Sequence, residues 1–159
     1  MLSLGTESWG VIIHFVMQGD GVTTHRFVCV LSKKIENGRA LNALGHMAAG
    51  LVGLIGKNDD FRFRDYVDAD GNAHKNISDN PFIVLSAKNS NKLRTLKEEL
   101  IEKNIPFTDF INTMVEGTYF EQHQRTNKTK EVDLEYFGIC FFAEDYLAKQ
   151  LTKKFSLFS

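Results

Sequence analysis

Asn37–Gly56, NGRALNALGHMAAGLVGLIG, is the stretch that decides how this chain folds. At about 100° per residue, Ala40, Leu41, Ala43, Leu44, Met47, Ala48, Leu51, Val52, Leu54 and Ile55 cover most of a helix circumference. The arc they leave holds Arg39, Asn42, His46 and Gly50, which follow one another at steps of three or four and so line up. A helix that is apolar nearly all round packs between other elements. The spacing therefore predicts a buried helix whose one polar seam faces either a neighbour's polar groups or a cleft.

Upstream, Thr24–Leu31 is β-branched and aromatic and reads as a strand, joined to the helix by the short link Ser32–Glu36. Downstream, residues 57–80 are a polar excursion. Its Asp70-Gly71 pair, flanked by Tyr66-Val67 and Ala73-His74, signals a tight hairpin. Asp68, Asp70 and Asn72 resemble the start of a calcium loop, but Ala73 stands where that motif needs glycine and Asp79 where it needs glutamate. Phe82–Ala87 is a short apolar strand, Ser90–Lys103 a helix with Leu93, Leu96, Leu100 and Ile101 on one face, and Pro106 follows its end. Phe107–Phe110 reads as a brief strand carrying Asp109, followed by a turn around Asn112 and Thr113. Residues 116–130 are polar and partly helical. Tyr136–Phe142 is a buried strand, and Ala143–Lys153 a closing helix whose Glu144, Asp145, Lys153 and Lys154 match the helix dipole. The tail FSLF suits a short terminal strand. Continuous apolar strands alternating with helices predict a three-layer αβα domain around a mixed, mostly parallel sheet of about four strands.

The 159 residues suit one domain with a real core, assigned to residues 24–159. Residues 1–23 are set apart as an arm or extra strand, or as sequence upstream of a start at Met17. The apolar run Trp9–Met17 is far too short to span a membrane, and no basic segment precedes it to make a secretory signal. A net charge of −1 and a pI near 6.5 argue against a strongly electrostatic grip on nucleic acid. Cys29 and Cys140 each sit in an apolar run and read as buried thiols of a reducing compartment, hence a cytoplasmic protein. With no CxxC or HxxxH spacing, no metal site is expected, and no cofactor fingerprint occurs.

GRALNALGHMAAG after a strand resembles the first helix of type II peptidyl-tRNA hydrolases, with Gly38, Gly45, His46 and Ala48 in matching positions. TDFINT, with Asp109 and Thr113 four residues apart, is similar to that family's D-A-G-x-T segment, and the closing strand, helix and L-x-L tail resemble its end. Gly117-Thr118 faintly echoes the glycine–threonine pair that follows in those enzymes. Their lysine is Arg39 here, a planar fork in place of a compact charge that titrates, and their glutamine falls on Ala43. A closer likeness is to an uncharacterised family of the same fold, domain of unknown function 2000. Asn42-Ala43, Asp70-Gly71, Thr108-Asp109 and Gly138-Ile139 fit its pattern. The resemblance implies the hydrolase-like fold and a homodimer, for which the Trp9–Met17 arm would make a contact.

These residues converge on one candidate site. Arg39 would bind a phosphate or carboxylate, or stabilise a developing oxyanion near the helix start; as a structural group it would pair with Glu36 or Asp109. Asp109, where a strand ends, would orient a water or act as base, or else cap the following turn. Thr113 would bond to Asp109, to a ligand or to local backbone. His46 reads as a satisfied core histidine ahead of an acid–base group. Asn42, Gly38 and Thr118 complete a ligand-binding set. Three functions compete: a hydrolase of an ester or amide built on Arg39 and Asp109, a non-catalytic domain for a small anionic ligand or nucleotide, and a peptidyl-tRNA hydrolase. The last would want a basic surface, with Arg62, Arg64, Lys33 and Lys34 as candidates, and the net charge weighs against it.

Overall fold

The computed structural model describes residues 23–159, so the expectations for residues 1–22 lie outside the described residues. The chain order is β1 (His25–Ser32), α1 (Asn37–Ile55), β2 (Phe63–Val67), β3 (Ala73–Ser78), β4 (Phe82–Ala87), α2 (Ser90–Glu102), β5 (Phe107–Ile111), α3 (Tyr119–Lys128), β6 (Tyr136–Glu144), α4 (Asp145–Thr152) and β7 (Ser156–Leu157). Short 3-10 turns occupy Asp59–Phe61, Asn112–Met114 and Glu131–Asp133.

Among the described residues, the main sheet has five strands in the order β5-β6-β1-β4-β7, one more than expected. Of its strand pairs among the described residues, β1–β4 is parallel, and β1–β6, β5–β6 and β4–β7 are antiparallel. The sheet is thus mixed and not mostly parallel. The unbroken apolar run Tyr136–Ala143 in β6 reflects burial on both faces, which the layers impose whichever way a strand points. The two faces carry separate cores. Phe27, Cys29, Leu31, Cys140 and Phe142 pack under Ala40, Ala43, Met47 and Leu51 of α1, with Phe61 alongside. Val28, Val30, Ile139 and Phe141 face Leu93, Leu96 and Leu100 of α2 and Ala148 and Leu151 of α4. The three-layer arrangement holds.

Helix α1 departs from its expected burial. It covers one face of the sheet and, among the described residues, leaves its far side open, with Leu41 and Leu54 about 60% exposed. Much of that far side is alanine and glycine, which carry little apolar surface to bury. The Asp70-Gly71 hairpin forms as read: Tyr66 lies opposite His74 and Val67 opposite Ala73. Gly71 supplies the positive φ of 84° that the turn requires. Cys29 and Cys140 are free, fully buried and directly opposite each other across β1 and β6. Hydrogen bonding with Cys140 and burial push the Cys29 thiol up, away from the reactive thiolate.

Candidate functional site: a cleft at the edge strand

Among the described residues, strand β5 is an edge of the sheet, and its alternation sorts its side chains. Thr108 and Phe110 turn toward α1: the Thr108 hydroxyl donates to the Met47 carbonyl at 2.8 Å, and Phe110 belongs to the core beneath that helix. Asp109 turns the other way. Its carboxylate meets the Lys97 ammonium of α2 at 3.1 Å. The Lys97 amine also donates to the Tyr136 hydroxyl at 2.8 Å, which donates to Glu131 at 3.0 Å, and the Arg94 guanidinium closes the chain on Glu131 at 2.9 Å. Burial by itself would lower the Lys97 pKa; the Tyr136 hydroxyl and the Asp109 charge outweigh it and hold the ammonium above its ordinary value. Burial, with the Glu131 carboxylate, pushes the Tyr136 phenol up, while Arg94 and Tyr136 hold Glu131 below its usual range. Asp109 is therefore one end of a chain of bonded groups on the α2 face.

On the α1 face, a cleft of about 440 Å³ opens between α1, β5 and α3. Met47, Phe110 and Met114 supply apolar surface, and His46, Gln122, His123 and Thr126 supply polar groups. Thr108, Asp109 and Tyr119 complete the lining. His46 stacks on Phe110 with ring centroids 5.8 Å apart, and Tyr119 lies 5.8 Å from His123. His46 is exposed, so it is not the core histidine favoured by its helical setting. A smaller hollow of about 280 Å³ adjoins, lined by Gly38, Arg39, Asn42, Val115, Glu116 and Phe137, and Phe110 borders both spaces.

The polar seam of α1 is thus divided between two spaces. Arg39 and Asn42 face the smaller hollow, where Arg39 meets Glu116 at 3.3 Å and neither Glu36 nor Asp109. His46 faces the larger cleft with Asp109 at its border. Thr113 is buried and bonds to the Thr126 hydroxyl of α3 at 2.8 Å, fixing that helix beside the cleft. Thr118 caps α3: its hydroxyl accepts from the Glu121 amide, while the Glu121 carboxylate accepts from the Thr118 amide at 2.7 Å. Arg125 adds bonds to the carbonyls of Thr113, at 3.1 Å, and Glu116. Sequence reasoning missed α3 as a wall of the site. The signal was present, because Tyr119, Gln122, His123 and Thr126 fall at i, i+3, i+4 and i+7, one face of a helix.

Fold and site together define a three-layer mixed α/β domain with a ligand-sized cleft at one sheet edge. Residues 25–159 match the family model described as Protein of unknown function (DUF2000), and the chain belongs to that family. Among solved structures, it is similar to a protein of unknown function, Atu0240, from Agrobacterium tumefaciens strain C58. The TM-score is 0.72 at 18% identity, over 86% of this chain and 98% of that one. That likeness concerns the fold. No curated protein matches the chain.

Proposed function

We propose that this protein is a ligand-binding domain, holding its ligand in the cleft between α1, β5 and α3 without turning it over. The separation of the two charges expected to do chemistry carries this reading. Ester or amide hydrolysis needs a base beside a water and a donor for the developing oxyanion, both at one reacting carbon. Asp109 pairs with Lys97 of α2, whereas Arg39 lies beside Glu116 in the neighbouring hollow. The cleft offers instead an apolar floor with a few polar groups to orient a guest, the usual make-up of a binding pocket. Two imidazoles at its walls favour a ligand with an aromatic or apolar body and an anionic or polar end.

A tRNA ligand has less support. Arg62 and Arg64, two of the four basic candidates, both bind Asp79, at 2.7 and 2.6 Å, at the base of the β2–β3 hairpin. The test is hydrolysis of an N-blocked aminoacyl-tRNA by the folded protein beside its Asp109→Asn variant. The binding reading expects no free tRNA from either. Release by the wild type and not by the variant would overturn it in favour of a peptidyl-tRNA hydrolase-like function built on Asp109.

A further inference from the structure

We infer that the ligand of this cleft is an extended peptide segment, which adds to the free edge of β5 as a further strand. The inference rests on the binding reading above and names the class of ligand.

Among the described residues, β5 pairs with β6 alone. In an antiparallel pair, every second residue turns its N–H and C=O away from its one neighbour. Along Phe107–Ile111 those outward groups receive no main-chain bond from any loop or helix of the described residues. Protein sheets usually blunt such an edge with proline, with lysine, or by laying an element over it. The stretch FTDFI has neither residue, and its one charge, Asp109, is drawn aside by Lys97. Its one irregularity lies at the far end, between Phe110 and Ile111.

Helix α3 runs beside this edge without covering it. It buries no residue of its own, and a cleft of about 440 Å³ separates it from the strand. Its two large aromatics are left in water, Tyr119 at 80% exposure and Phe120 at 67%. The helix is nonetheless fixed in place by its capping box, by Arg125 and by the Thr113–Thr126 bond. An anchored helix standing off a bare strand edge, with Tyr119 in the lining of the cleft, lacks the layer that would join the two. A strand is the occupant whose chemistry answers the edge, because only main chain presents donors and acceptors at a matching repeat. Alternate side chains of that strand would enter the cleft over the Phe110 ring and over Met47 and Met114, whose thioethers adapt to varied apolar shapes. Gln122, His123 and Thr126 would meet polar groups from the α3 side.

The test uses a displayed library of random peptides selected on the folded protein. A selected peptide is resynthesised with N-methyl groups on every second amide, in each of the two phases. Strand addition expects one phase to weaken binding about tenfold or more while the other leaves it near its starting value. It also expects amide exchange within Thr108–Phe110 to slow in the complex. Equal effects of the two phases, or unchanged exchange in β5, would overturn the inference, as would failure to select any peptide. Titration with aromatic carboxylate fragments separates this failure from that of the cleft itself. Fragments that shift His46 and His123 where no peptide binds would leave the binding reading standing and remove the peptide.

Discussion

Tyr136 is fully buried, yet its hydroxyl lies between an ammonium and a carboxylate, with the Lys97 amine 5.0 Å and the Arg94 guanidinium 5.4 Å from its ring. Replacing it with phenylalanine keeps the packing and removes the bridge, leaving Lys97 and Glu131 short of a partner. The expected loss is about 1–3 kcal/mol in urea unfolding. Both Lys97 and Tyr136 have raised pKa values in the fold, so their stabilising effect is full below their unfolded values of about 10 and is lost as pH rises through the folded ones. Melting temperature should therefore fall steeply above pH ~10, and less steeply in Tyr136→Phe. Glu131, and Asp145 through its bonds from Lys149 and Arg26, have lowered values, so their contribution is present above about pH 4 and disappears on acidification. The placement of Asp109 was not legible in the sequence. Its partner lies on a different element, and their meeting depends on strand parity and on the position of β5 in the sheet. The local motif around Asp109 fixed neither of these.

Among the elements, α3 is held from its ends and sides, and the core gains nothing from it. Thr118→Ala removes the cap and costs the helix about 1 kcal/mol. Because α3 buries no residue, the global melting temperature should barely move, while its amides exchange faster and ligand affinity drops. Hydrogen exchange read segment by segment distinguishes this from general destabilisation. Strand β6 behaves oppositely. A Cβ on Gly138 would lie 2.6 Å from the Met47 methyl and 3.2 Å from the Val30 carbonyl, which belongs to a central strand and cannot move aside. Gly138→Ala should cost about 1–3 kcal/mol, seen as a lower urea midpoint with unchanged slope. The hairpin at Asp70-Gly71 was fully legible, since turn chemistry is local. The face of α3 was written in the spacing but hidden by its polarity, because periodicity is ordinarily sought in apolar residues.

At the scale of the whole molecule, sequence patterning showed that strands are buried and helices lie on both faces; it did not show strand direction. An apolar run such as YFGICFF is the same signal whether the strand runs up or down. Strand β6 sits between β1 and β5, and among the described residues this makes β5 the edge on which the cleft is built. The core beneath α1 supports that edge, and Leu51→Ala within it should cost about 2–5 kcal/mol in urea unfolding. The most direct test of the central claim is a two-dimensional NMR titration of the assigned protein with aromatic carboxylate fragments. The binding account predicts saturable shifts gathered on His46, Phe110, His123 and Thr126. Shifts confined to Arg39, Asn42 and Glu116, or no saturable shift in a folded protein, would contradict it.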